Sequence, residues 1–199
     1  MHLIEETSVP QAAIPIARFK AHLRMGSGFA EDGLQDAVLE GFLRAAITAI
    51  EARTGKVLIE RAFSWSLRQW TRVDAQVLPV APVTGITSVV LLAATGAATT
   101  VDPARYRLEA DGAVPRLAAL SGVLPVIPPS GEVRIRFDAG IAADWGELPA
   151  DLGQAVMLLA AHYYEYRDET TLSAGCMPFG VTSLIERYRS LRIGAGAVQ

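Results

Sequence analysis

Few residues in this chain could do chemistry, and one group of them has helical spacing. His162, Glu165 and Asp168 fall at steps of three, so a helix would bring His162 and Glu165 to one face. A zinc site takes three or four ligands, and the other histidines, His2 and His22, have no ligand spacing to His162. The single cysteine, Cys176, has no local thiol partner and no helix-start setting to favour a thiolate. His162 is therefore expected to be a packed or interface histidine. No catalytic, cofactor-binding or metal-ligating residue is assigned. The enzymatic alternative is a small metal-dependent hydrolase or lyase with a site assembled between subunits around His162 and Glu165.

Glycine and tryptophan give no stronger signal. Gly26-x-Gly28 and Gly194-x-Gly196 lack the strand-to-helix context and the lysine of phosphate-binding loops, and fit turn and tail chemistry instead. Asp102-Pro103 and Asp111-Gly112 are turn signals. Trp65 and Trp70 could stack on bases, but the alternating run that holds them puts Trp65 on the packed face of a sheet.

The C-terminal segment differs. Arg187, Arg189 and Arg192 lie among Leu184, Ile185, Tyr188 and Leu191, in a helix with little core left to bury it. That pattern is either a solvated face or a docking peptide with apolar anchors and arginine forks around them. A third reading is a DNA-binding module in which the arginines meet phosphates.

Composition narrows the classes. The 199 residues are 51% hydrophobic and 20% charged, with a net charge of −3. A mean hydropathy of +0.28 is high for a small soluble monomer and hints at surface buried between subunits. The charge argues against a generally cationic nucleic-acid binder. One cysteine gives no internal disulfide, and neither a membrane span nor a secretion signal is expected.

These residues must be positioned by helices at both ends and strands between. Leu3 to Pro15 reads as extended or irregular, and Pro15 opens a short helix ending near Arg24 with Ile16, Phe19 and Leu23 on one face. A long helix over about 31–54 follows, its start marked by Glu31 and Asp32 and its end by Thr54-Gly55. Leu34, Val38, Phe42, Ala45 and Ala49 form its apolar stripe, widened by Leu39, Ala46 and Ile50. From about 57 to 137 the period becomes two, punctuated by prolines, which predicts a small, mainly antiparallel sheet of four to six strands. A helix over about 149–168 and a short one from Val181 to Tyr188 complete the chain. The expected fold class is α+β, mainly a helical bundle with the sheet inserted, in one domain spanning 1–199.

The order of several pieces carries a family resemblance. They are Ala21-His22-Leu23-Arg24, Glu51-Ala52-Arg53-Thr54-Gly55-Lys56, Leu78-Pro79-Val80-Ala81-Pro82-Val83 and Tyr106-Arg107-Leu108. Val133 to Gly140, Leu148 to Leu152, Ala161 to Arg167, Pro178 to Val181 and Tyr188-Arg189 follow. From about residue 15 to 192 the chain resembles the head–tail connector (adaptor) proteins of tailed phages and gene transfer agents. The resemblance implies a ring, in phages usually of twelve identical subunits, in the virion neck between capsid and tail. It implies the portal protein and a downstream tail or stopper protein as partners, and double-stranded DNA passing through without sequence-specific binding. It implies no membrane, no cofactor and no catalytic residue, and a stay in the host cytoplasm before assembly. Residues 181–199 would be the portal-docking segment, with Leu184, Ile185, Arg187, Tyr188, Arg189, Leu191 and Arg192 as its contacts.

Overall fold

The computed structural model describes residues 2–25, 33–167 and 177–189. Among these residues, four α-helices, α1 (Ile16–His22), α2 (Gly33–Thr54), α3 (Ala150–Glu165) and α4 (Phe179–Ile185), surround one apolar cluster. Its interior is made by Phe19 of α1, Leu39, Leu43, Ile47 and Ile50 of α2, Leu152, Val156 and Leu159 of α3, and Val181 and Ile185 of α4. α3 is the central helix, with α2 and α4 both packed on it.

α2 ends where the sequence marks an end. Thr54 turns its hydroxyl back to the Ile50 carbonyl at 2.8 Å, and Gly55 takes φ +70°, a left-handed conformation that a β-carbon disfavours. The chain then passes into seven strands, which with one N-terminal strand form two antiparallel sheets among the described residues. The larger sheet has the order β1 (His2–Glu5), β2 (Arg61–Leu67), β8 (Glu132–Ala139), β4 (Val83–Leu92), β5 (Ala98–Thr100). The smaller has the order β3 (Ala75–Val77), β7 (Arg116–Ala119), β6 (Tyr106–Glu109).

Alternation sorts the large sheet's two faces. Phe63, Trp65, Val133, Ile135 and Phe137 join Leu117 and Tyr106 of the small sheet in a second apolar cluster. Arg134 and Arg136 occupy the opposite face and pair with Glu132 at 3.3 Å and Glu6 at 3.1 Å. Register pairs Trp65 with Ile135 and Phe63 with Phe137, whose rings stack 5.7 Å apart. After β8 the chain passes so near Glu60 that a β-carbon on Gly140 would collide with that backbone.

Two expectations are corrected. The fold is α+β but not mainly a helical bundle: helix makes up 35% and strand 28%. β1, β3, β5 and β7 are only three or four residues long, too short for periodicity to reveal, and β1 falls in the stretch read as irregular. The second correction is the orientation of α2. Its core face is Leu39, Leu43, Ala46, Ile47 and Ile50, whereas Val38 is 54% exposed and Ala45 also faces outward. Apolar residues cover more than half of this helix's circumference, so spacing alone did not fix which side turns inward.

Candidate docking surfaces

Pro178 starts α4, and the helix lies along α3 rather than projecting from it. Val181 and Ile185 are fully buried and Leu184 is half-buried against the same cluster. Ile185 is thus spent on the chain's own core. Beyond α4 a 3-10 turn over Glu186–Tyr188 brings Tyr188 to the start of α3, where its hydroxyl donates to Asp151 Oδ1 at 2.9 Å. Arg187 donates to the Tyr188 hydroxyl at 2.5 Å, pairs with Asp151 Oδ2 at 2.7 Å and lies over the Tyr188 ring. Partial burial pushes the Tyr188 phenol up, Arg187 opposing and Asp151 adding to the rise. Arg189 pairs with Glu186 at 3.1 Å. Of the predicted docking residues, Arg187, Arg189 and parts of Leu184 and Tyr188 therefore reach the surface, with both arginines already in ion pairs. Leu191 and Arg192 lie outside the described residues.

His162 is half-buried on α3, its ring 4.7 Å from that of Tyr166. Folding adds a neighbour that the sequence spacing did not suggest: His22, at the end of α1, lines the same open hollow of about 370 Å³ as His162, Glu165 and Pro178. Among the described residues no three His, Cys, Asp or Glu side chains converge as metal ligands. Asp168 and Cys176 lie outside the described residues. Trp65 is 3% exposed within the sheet cluster, and Trp70 donates its indole N–H to the Pro125 carbonyl at 2.7 Å, so neither ring is an open stacking platform.

The small sheet carries a surface that sequence reasoning missed. Val73, Leu120, Val123 and Val126 are 71%, 52%, 55% and 86% exposed. Backbone bonds from Ala119 N to Asp74 O (2.9 Å) and from Leu124 N to Val73 O (2.7 Å) hold these segments side by side. Large exposed apolar residues on neighbouring segments are a surface of the kind that marks binding sites. Their separation in sequence, 73 against 120–126, hid it.

The junction between helices and sheets is held by a buried cation. Arg61, at the start of β2, donates to both oxygens of Glu51 on α2 at 2.9 and 2.7 Å, pairs with Glu5 of β1 at 2.7 Å and bonds the Ile59 carbonyl at 3.1 Å. Glu51 also accepts from Leu58 N at 2.7 Å. Burial alone would lower the Arg61 pKa, but its bonds to Glu51 and Glu5 leave it raised and the side chain charged. Nearby, Lys56 reaches the Gly112 carbonyl and ties the end of α2 to the β6–β7 hairpin. These contacts tie the C-terminal end of α2 to β1, β2 and the β6–β7 hairpin.

The described residues thus combine a mixed α+β fold with exposed apolar surface on both helices and strands, the kind of surface that makes contacts with other chains. No protein-family model and no curated protein matches the chain. Solved structures do. A chain in the neck of an empty gene transfer agent particle, computed with C6 symmetry, is 52% identical over 98% of this chain and 99% of its own, with a TM-score of 0.89. A chain in the neck of the native particle, computed with C12 symmetry, is 48% identical over 98% and 99%, with a TM-score of 0.85. A third, in the virion of the native particle, is 50% identical over 98% and 99%, with a TM-score of 0.86. The chain belongs to the head–tail connector proteins of gene transfer agents.

Proposed function

We propose that twelve copies of this chain close into a ring in the particle neck, between capsid and tail, and join the portal to the tail without any enzymatic step. The observation that carries this reading is identity of about half the residues over nearly the full length of neck chains, one of them in a C12 reconstruction. A ring needs two different faces per copy that close by rotation. The chain acts as a single connector domain, its two apolar clusters locked through Arg61 and Lys56.

The C-terminal segment is the portal-facing element, with Arg187, Tyr188 and Arg189 at its root and Leu191 and Arg192 beyond. The rim of Val73, Leu120, Val123 and Val126 faces the tail-side partner. Double-stranded DNA passes through the ring without being read. Two features support that reading: a net charge of −3 per copy, and the pairing of Arg187 with Asp151 and of Arg189 with Glu186, which leaves less charge for phosphate.

The test is reconstitution with purified portal, imaged in negative stain. Twelve-fold rings on the portal are the expected result. A chain that stays monomeric beside portal at every salt and protein concentration refutes it.

A further inference from the structure

α2 turns a charge-free side to solvent. Ala37, Val38, Gly41, Ala45, Thr48 and Ala52 are all exposed and form one stripe, directly opposite the core face of Leu39, Leu43 and Ile50. A helix facing water ordinarily carries polar and charged residues there. Here Asp36 pairs with Lys20, Glu40 with Arg44 at 2.8 Å and Glu51 with Arg61, all on the flanks of the stripe. The one hydroxyl in the stripe, that of Thr48, is spent on the Arg44 carbonyl at 3.0 Å. At its centre Gly41 has no internal cause: a β-carbon there would meet nothing within 4 Å. Glycine inside a helix is unfavourable, so its presence asks for a body outside this chain that comes close.

The complementary feature lies on α4, which packs on α3 separately from α2. Phe179, the first residue of α4, is 88% exposed, more than any other large hydrophobic side chain among the described residues. With Ser183 it forms the outer side of α4, opposite Val181 and Ile185. Phe179 and Gly41 also lie at the same level of the bundle. Phe42 meets Tyr164 edge-on at 6.0 Å near the end of α3, and Pro178 and Gly180 share a hollow with Glu165 and Tyr166 at that same end.

We infer that the lateral seam of the ring is formed by α4 of one copy against α2 of the next, with Phe179 seated in the gap at Gly41 between Val38 and Ala45. This rests on the ring reading above. The occupant is a second copy because each copy in a closed ring has a neighbour on both flanks, and these two flanks carry a knob and a gap at one height. A rotation without axial slip brings them together. The charges match as well: neither contacting face holds a formal charge, and Glu40 and Arg44 beside the α2 stripe pair with each other, so the seam buries none unpaired. Small residues on α2 let the two helix axes approach closely.

Cross-linking tests the seam. With Cys176→Ser as background, Ala45→Cys and Ser183→Cys together, treated with a short bis-maleimide, yield a ladder of covalent multimers under conditions where the parent chain forms rings. Each single cysteine gives no ladder. Rings visible by light scattering with no ladder from the pair would overturn the seam and leave the ring standing. Phe179→Ala supplies a second measurement: ring association weakens by about 30-fold, the loss of an interface hot spot, while the monomer's melting temperature is unchanged. Association as tight as in the parent overturns the assignment. A parent chain that never forms rings, alone or on portal, removes the ring reading and the seam with it.

Discussion

Replacing Arg61 by methionine isolates what holds the helices at their angle to the sheets. The guanidinium side chain is 6% exposed and Glu51 12%, so the pair sits away from water. Methionine fills much of the same volume but leaves the Glu51 carboxylate with the Leu58 N–H as its remaining partner. Removing one member of a buried ion pair costs about 3–5 kcal/mol, because the other charge stays behind unpaired. For a chain of this length that corresponds to a fall in melting temperature of about 6–20 °C. Glu5 is 42% exposed, so Glu5→Gln costs about 1 kcal/mol or less. Pairing Arg61→Met with Glu51→Met removes both charges, and the double variant regains most of the stability, since a hydrophobic replacement of a whole buried pair is close to neutral. Urea unfolding of the parent, both single variants and the double variant, set out as a double-mutant cycle, gives the coupling directly. A single-variant loss below about 1 kcal/mol, or a double variant whose loss equals the sum of the singles, would refute the clamp.

Four further outcomes are expected. Burial holds the Lys56 pKa below its ordinary 10.5, with Asp111 partly opposing. The folded state therefore binds fewer protons than the unfolded state between the lowered value and 10.5, and this residue makes stability rise with pH through that window. Lys56→Met abolishes that rise, measured by urea unfolding in steps from mildly to strongly alkaline pH. Gly41→Ala stabilises the monomer by about 0.5–1 kcal/mol through helix propensity, read in a thermal melt under conditions without rings. Tyr188→Phe loses the bond to Asp151 and about 1 kcal/mol, measured in the same way. A chain ending at Arg189 keeps its melting temperature but fails to co-sediment with portal, whereas truncation that leaves co-sedimentation intact moves the portal contact elsewhere.

Sequence signals worked where a local rule has one structural solution. Thr54-Gly55 ended α2, Asp102-Pro103 and Asp111-Gly112 formed capped turns, and alternation placed Trp65 in the sheet cluster. They worked less well where packing chooses between equivalent options. An α2 that is apolar on most sides could have turned Val38 and Ala45 inward, and only α3 decides that Leu43 and Ile47 go there instead. Strands of three or four residues exist because neighbours supply their ladder, which no local pattern records. Ile185 looked like an outward anchor because α3 was not yet there to receive it. The rim of Val73 and Leu120–Val126, the hollow shared by His22 and His162 and the clamp of Glu5, Glu51 and Arg61 all join residues that are distant in sequence. The family resemblance, drawn from the order of weak pieces, reached the connector class where single residues could not.

The inferred seam over the uncharged stripe of α2 bears on when a ring forms as well as how. A contact without charges is steered by no long-range field, so free copies meet at the slow rates of neutral surfaces, and dissolved salt changes them little. Closure then depends on crowding copies together on a template, which multiplies their local concentration without strengthening any bond. Ring assembly would in this way start on the portal instead of in open solution, and once closed it would tolerate shifts in ionic strength that loosen charge-built joints.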